Sequence, residues 1–222
     1  MSKGGRSMAA VATLVACAAA FAWVRSDRRR LAPALCALRA VLFSSMLTTE
    51  GILLAQGRWR EALPLHLCSI SALCALALPA RGGQGRLDFL GYLGMPGALL
   101  ALVFPAPAVS RWQALLDASY YTTHAMILVM PMCLMAAGRC VRQGRALPLF
   151  FLMQGLALAA YAVNLRLGTD YLFLMAPPAG TPLEIAYALG RPAYLLALEG
   201  VLACMLLVTG RLMPALWSAL AE

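Results

Sequence analysis

The side chains best suited to chemistry are one thiol and one imidazole, at matched positions in two apolar segments. Cys68 follows Pro64 and His66 at the polar entrance of one segment, and His124 lies early in another. At a rise of 1.5 Å per residue, each should lie roughly 9 Å inside its helix. Helices packed in one bundle can bring two such residues together. A thiol that meets an imidazole can act as a nucleophile, because the imidazole accepts its proton.

His66 is a less suitable base for Cys68, although it is closer in sequence. Two residues apart on a helix, the two side chains point roughly 200° away from each other. A hydrogen bond to a neighbouring helix is the favoured interpretation of His66, and catalysis is the alternative. Cys68 itself could also be a packing residue, which is our interpretation of the other six cysteines.

Further polar side chains fall at the same ends of their predicted helices as Cys68 and His124. Polar groups in a lipid-spanning segment are costly, so each needs a partner or a purpose. Hydrogen bonding between helices and support of a catalytic residue both stay open for them. The supporting or substrate-binding candidates are His66, Glu50, Tyr120, Thr123, Asn164, Asp170, Tyr171 and Glu199.

The composition excludes several classes of protein. Apolar residues make up 62% of the 222 residues and charged residues only 12%, which is atypical of a water-soluble domain. The net charge of +9 comes from basic residues scattered between apolar blocks, so we expect no nucleic-acid partner. Seven cysteines without a CxxC pair and two histidines predict neither a metal site nor a cofactor.

The lengths of the apolar stretches predict the fold. Seven of them approach the roughly 17–25 residues that cross a bilayer. We therefore predict an all-α, polytopic membrane bundle of six to seven transmembrane helices, as a single domain over residues 1–222. The sequence YLFLMA, residues 171–176, is too short to span and predicts an interfacial or re-entrant segment before the last helix. The predicted helices cover residues 8–24, 33–55, 62–80, 87–104, 115–137, 147–165 and 190–212.

The distribution of Lys and Arg predicts the orientation. The connections after the first, third, fifth and seventh helices carry more basic residues than the opposite set. By the positive-inside rule, the N-terminus is then outside and the C-terminus cytoplasmic, most simply in a bacterial inner membrane. The first helix has the form of a signal peptide, but the run RSDRRR after it favours a retained helix.

Three blocks of sequence resemble one known family. The segment RWREALPLHLCSISALCAL, residues 58–76, resembles the signature of the YwaF-type bacterial integral membrane proteins. YYTTHAMILVMP, residues 120–131, is similar to that family's histidine motif, and NLRLGTDYLFLMAPP, residues 164–178, to its third block. The likeness extends to eukaryotic transmembrane Cys/His acyltransferases of ether phospholipids and, more distantly, to androgen-induced Thr/His hydrolases of fatty-acid esters.

The resemblance implies that Cys68 is a nucleophile and His124 its base, in an intramembrane lipid acyltransferase or lipid ester hydrolase with an acyl-thioester intermediate. Phospholipids or fatty-acid esters of the membrane would be its partners. Two departures, Asp170 in place of Asn and Pro177 in place of Lys, weaken any assignment of the head group. A transporter, a lipid-binding protein or a structural subunit is the alternative, and the oligomeric state stays open.

Overall fold

The computed structural model describes the backbone of residues 3–106 and 109–221, and the side chains of residues 15–106 and 109–212. All regular secondary structure in these ranges is helical, which confirms the predicted all-α class. A 3₁₀ turn, Arg28–Arg30, precedes α2, and another, Tyr171–Phe173, lies between α7 and α8. The helices are α1 Lys3–Ser26, α2 Leu31–Ala55, α3 Leu67–Leu76, α4 Gln84–Phe89, α5 Met95–Val103, α6 Gln113–Ala136, α7 Ala146–Leu167, α8 Leu183–Ala188 and α9 Arg191–Ala221.

Four helical stretches of the described chain are long and apolar enough to cross a membrane. Arg28–Ala55, Ala146–Leu167 and Arg191–Leu212 expose most of their residues, as lipid-facing helices do. Gln84–Val103 is more enclosed by the rest of the protein. The chain is therefore a membrane protein with transmembrane helices, and the larger count of six or seven spans stays a prediction.

The third predicted helix is much shorter than the sequence indicated. We expected residues 62–80, but α3 covers only Leu67–Leu76, about 15 Å at 1.5 Å per residue. Pro64 explains the late start, because a proline disfavours helical backbone in the residue before it. Pro79 lies just beyond the other end and cannot donate a backbone hydrogen bond. This helix is too short to cross a bilayer core of roughly 30 Å.

Helices α4 and α5 are joined by a turn of π-helix, Leu90–Gly94, into one continuous element. Two glycines in this turn let other segments approach its backbone. A methyl group on Gly91 would overlap the Cγ1 atom of Val141. On Gly94 it would lie 3.3 Å from the Ser71 hydroxyl of α3 and 3.4 Å from a methyl of Ile127 in α6. The π turn therefore holds α3 and α6 close together.

Helix α6 is the centre of the bundle and contacts α1, α2, α3 and α5. From Ile127 to Pro131 every side chain is buried, including that of the proline inside the helix. Its first half is unusually polar for a helix in an apolar protein. Surrounding helices keep that half away from lipid and supply hydrogen-bond partners, which is how a bundle tolerates polar side chains.

The two ends of the bundle differ in chemistry. At one end, the buried Asp88 of α4 accepts hydrogen bonds from the backbone and guanidinium of Arg142, at 2.9 and 2.8 Å. Arg139 donates to the backbone carbonyls of Pro79 and Ala80 at 3.0 and 3.3 Å. We call this the arginine end. The end of α2 and the starts of α3 and α6 lie at the other, which we call the cavity end.

Candidate active site

A cavity of about 100 Å³ lies between α2, α3 and α6 at the cavity end. Its lining combines a carboxyl group, a thiol, an imidazole, a phenol and hydroxyl groups with a few apolar side chains. A volume of this size accommodates a few water molecules or the reacting part of a larger ligand. The lining residues are Met46, Thr49 and Glu50 from α2, Cys68, Ser69 and Ala72 from α3, and Leu116, Tyr120, Thr123 and His124 from α6.

Cys68 is the second residue of α3, and its neighbours provide hydrogen bonds for sulfur. The Ser69 hydroxyl and the backbone N–H groups of Cys68 and Ser69 interact with the thiol. No side chain caps this helix, because His66 at the cap position makes no capping bond. The first N–H groups of a helix carry partial positive charge. These groups favour negative charge on an oxygen formed beside the sulfur, but they only partly offset the cost that burial places on ionising the thiol itself.

His124 is fixed in one tautomer by its own helix. The side chain is 3% exposed, and Nδ1 lies 2.7 Å from the backbone carbonyl of Tyr120. A carbonyl oxygen can only accept, so Nδ1 must carry the hydrogen and donate it. In the neutral ring, Nε2 then has a free lone pair and is the nitrogen that can take a proton.

The Tyr120 side chain holds the imidazole in place. Its ring lies against that of His124, with centroids 4.2 Å apart. The Tyr120 hydroxyl donates a hydrogen bond to the carbonyl of Ala101, 2.8 Å away in α5. Tyr120 is therefore tied to two helices, and the rotation of the His124 ring is restricted by packing.

A network of hydroxyl groups joins α2 to α6 beside the cavity. Ser45 Oγ donates to the Ser119 carbonyl at 2.8 Å and lies 2.8 Å from Thr123 Oγ1. Thr49 Oγ1 lies 2.7 Å from Ser119 Oγ. Hydrogen bonds of this kind hold membrane helices together. Thr123, a predicted supporting residue, thus lines the cavity and also bonds α2.

Glu50 also lines the cavity, but it does not take part in the hydroxyl network. Its Oε2 atom is buried and has no hydrogen-bond partner within the described part of the chain. Glu50 is close enough to Cys68 for the two side chains to interact electrostatically. A buried, unpaired carboxyl oxygen costs free energy, so such a group calls for a ligand or a catalytic explanation.

Five of the predicted site residues line this cavity together: Glu50, Cys68, Tyr120, Thr123 and His124. The other five, His66, Asn164, Asp170, Tyr171 and Glu199, are absent from its described lining. Four of these, all except Glu199, form a second cluster beside the cavity end: Asn164 near the end of α7, Asp170 and Tyr171 in the segment after it, and His66 directly before α3.

The second cluster, which we call the clamp, holds the chain that leads into α3. The imidazole of His66 packs against the rings of Tyr171 and Phe173, with centroids 5.0 and 5.4 Å apart. The Tyr171 hydroxyl donates to the carbonyl of Arg60. Burial raises the pKa of the Tyr171 phenol, so this hydroxyl keeps the proton that it donates. His66 is therefore a packing residue of this clamp.

Asn164 holds the segment after α7 by its backbone. Its Nδ2 donates to the Tyr171 carbonyl at 3.0 Å, and its Oδ1 accepts from the Tyr171 N–H at 2.8 Å. Asp170 accepts from the backbone N–H of Met175 at 2.8 Å. Glu199 lies elsewhere, where it accepts a hydrogen bond from Gln154 of α7 at 2.8 Å. These contacts are structural, and none of them faces the cavity.

Two features were missed in the sequence. Ser69 lines the cavity directly after Cys68, and only the structure shows that its hydroxyl faces the thiol. Asp88 had a visible signal, since a lone acidic residue in an apolar helix is expected to have a partner. The described residues include no group of three or more His, Cys, Asp or Glu that could hold a metal ion.

A helical bundle with four membrane-spanning candidates and a cavity between its helices that carries several polar side chains defines an integral membrane protein. The model of the TMEM164 family matches residues 4–209, so the chain belongs to the TMEM164 family. No curated protein and no solved structure matches it. Membership of a family of transmembrane proteins is therefore confirmed. The relationship to YwaF-type proteins and to acyltransferases stays a prediction.

Proposed function

We propose that this protein is an intramembrane lipid acyltransferase or lipid ester hydrolase that works through Cys68 and His124. One observation carries the proposal: a thiol and an imidazole on different helices line the same cavity. The imidazole has its donor nitrogen engaged by a carbonyl, which leaves the other nitrogen to accept a proton. The relationship to YwaF-type and Cys/His acyltransferase families, suggested by the sequence LPLHLCS, supports the same chemistry.

The reaction begins with the ester of a membrane lipid. A buried thiol holds its proton, so it needs a base within reach. As Cys68 sulfur attacks the acyl carbonyl, its proton passes to His124 Nε2. The carbon–oxygen bond of the ester breaks, and the departing alcohol takes that proton from His124. The product of this half-reaction is an acyl-thioester on Cys68.

The second half-reaction transfers the acyl group from sulfur to an acceptor. An alcohol as acceptor gives a new ester, and water gives a free fatty acid. The developing oxyanion needs donors, which the first N–H groups of α3 can provide. Asn164 and His66, candidates from the sequence, are engaged in the clamp and serve this role less well.

The finer membrane topology belongs to the same proposal. We infer a multipass protein in which α1, α6 and the stretch of residues 62–80 that contains α3 complete the bundle around the four apolar spans, with the segment after α7 at the interface. The N-terminus lies outside and the C-terminus in the cytoplasm of a bacterial inner membrane. Arg60 at the cavity end donates to the Leu167 carbonyl at 3.3 Å and keeps the rest of its guanidinium near the head groups.

The test is lipid turnover by purified protein in vesicles that contain a phospholipid with a fluorescent acyl chain. We expect release or transfer of that chain by the wild type, no turnover by Cys68→Ala, and a loss of about 10²–10⁴-fold in His124→Ala. Cys74→Ala is the matched control, since Cys74 lies in the same helix but is absent from the described cavity lining.

A non-catalytic protein would give a different pattern. A transporter or lipid-binding protein would bind the fluorescent lipid without cleaving it, and the three variants would bind alike. Turnover that persists in Cys68→Ala would rule out the proposed nucleophile.

A further inference from the structure

Two groups of the cavity lining can act only as acceptors toward a ligand in the state described above. One is Nε2 of His124, whose partner nitrogen is held by the Tyr120 carbonyl. The other is Oε2 of Glu50, which is buried and unpaired within the described residues. Both residues line the same space as Cys68. A ligand that satisfies both must therefore offer two hydrogens.

The charge and shape of the cavity narrow the class of ligand. No Lys or Arg is among the described residues that line it, so an anionic group has no counter-charge there. The aromatic rings of the lining, those of Tyr120 and His124, pack against each other with centroids 4.2 Å apart. They do not form the open cage that a quaternary ammonium group prefers. Small neutral groups that carry O–H or N–H donors fit best.

We propose that the cavity selects an acyl acceptor with two neighbouring hydrogen-bond donors, one held by His124 and the other by Glu50. Water has two such hydrogens, and so has a lipid alcohol with a second O–H or N–H on the adjacent carbon. A simple mono-alcohol leaves Glu50 unpaired and is a poorer acceptor, because an unpaired buried polar group is costly. This inference rests on the proposed function and adds the acceptor class to it.

In the transfer step, the acyl group moves from Cys68 sulfur to the acceptor oxygen. The acceptor oxygen attacks the thioester carbonyl, and its proton moves to His124 Nε2. The new carbon–oxygen bond forms, the carbon–sulfur bond breaks, and His124 returns the proton to Cys68 sulfur. Glu50 accepts a hydrogen bond from the second donor of the acceptor throughout and exchanges no proton. It is thus an acceptor-binding residue that is needed in the second half-reaction only.

The experiment separates the two half-reactions. Purified protein is first charged with a short fatty-acid thiophenyl ester, and the hydroxylamine-sensitive acyl group on Cys68 is measured by mass spectrometry. The acyl-enzyme is then divided among water, 1-hexanol and 1,2-hexanediol, and the three products are quantified. An ester of the diol as the main product indicates that the natural acceptor is a lipid alcohol. Free fatty acid as the main product indicates that it is water.

We expect the wild type to favour the diol over hexanol by about tenfold, the effect of one hydrogen bond in a buried site. Glu50→Leu removes the acceptor, so transfer from acyl-enzyme already formed should fall about tenfold to the diol and to water, with little change for hexanol. Glu199→Leu is the matched control, because it makes the same chemical change outside the described lining of the cavity.

Two outcomes would overturn the inference while leaving the proposed function intact. One is equal transfer to the diol and to hexanol by the wild type. The other is a Glu50→Leu acyl-enzyme that keeps the wild-type preference for the diol over hexanol, or that slows transfer to all three acceptors alike. If the wild type forms no acyl group on Cys68, the proposed function fails, and this inference fails with it.

Discussion

Replacing Gly91 by alanine should destabilise the protein, although alanine is normally the better helix former. Gly91 lies in the π turn between α4 and α5, and an added methyl group would overlap Val141 Cγ1. Val141 is only 5% exposed, and its β-branched side chain has little rotational freedom. Its neighbour Arg142 is held by Asp88, so the backbone there cannot simply retreat.

The expected change in the free energy of unfolding follows from two opposing effects. Alanine in place of glycine inside a helix gains about 1 kcal/mol. Forcing an extra methyl into a packed site costs about 1–3 kcal/mol, and we expect the upper end because the overlap is with a stiff, buried group. Gly155→Ala is the control, because its methyl would meet nothing within 4 Å in the middle of α7. The two variants should therefore differ by about 3 kcal/mol.

Thermal unfolding in detergent, followed by circular dichroism, measures this difference. At roughly 2–4 °C per kcal/mol for a chain of this size, the apparent Tm of Gly91→Ala should be about 6–12 °C below that of Gly155→Ala. Adding Val141→Ala removes the overlapping atom, so Gly91→Ala should cost much less in that background. Equal Tm values for the two glycine variants, or no rescue by Val141→Ala, would refute this description of the π turn.

Two further predictions concern the polar contacts between elements. Ser45→Ala should lower stability by about 1 kcal/mol, because Ser45 bonds α6 across the helix interface; Ser44→Ala, whose hydroxyl bonds only its own helix, should change it by less than about 0.5 kcal/mol. Asp88→Asn should cost about 1–3 kcal/mol, since the buried carboxylate pairs with Arg142, a partner 47% exposed to solvent screening. Asp27→Asn, which removes an exposed pair, should have almost no effect. Thermal unfolding measures the stability of all four variants. A loss in Ser44→Ala as large as that in Ser45→Ala, or in Asp27→Asn as large as that in Asp88→Asn, would contradict these predictions.

The positions of most helices were predictable because lipid imposes length and polarity on the sequence. The predicted helix over residues 147–165 corresponds to α7, Ala146–Leu167, and that over 115–137 to α6, Gln113–Ala136. The prediction for residues 62–80 was wrong in length because hydrophobicity was counted without weighing Pro64 and Pro79. Apolar composition is required of a helix in lipid, but it does not make a helix where proline removes hydrogen bonds.

The pairing of Cys68 with His124 was predictable from the sequence, whereas their depth in the helices and the geometry of the loop after α7 were not. We paired Cys68 and His124 by expecting both at the same depth, and they line one cavity. The equal depth was wrong, because α3 begins at Leu67 and α6 at Gln113, which makes Cys68 the second residue of its helix and His124 the twelfth. Asn164 lies in α7 and bonds the backbone of Tyr171 in the loop that follows, so the fold of that loop decides what both residues contact. The backbone of Leu172 and Phe173 has positive φ values of 57° and 55°, which propensities do not anticipate in such residues.

The most direct measurement of the central claim is the detection of an acyl-thioester on Cys68. Protein incubated with phospholipid vesicles, quenched in acid and digested, should yield a Cys68 peptide that carries a fatty acyl group and loses it in hydroxylamine. The adduct should be missing from Cys68→Ala, strongly reduced in His124→Ala and retained in Cys74→Ala. An unmodified Cys68 peptide at every time point, from protein that turns over lipid, would contradict the Cys68 and His124 mechanism.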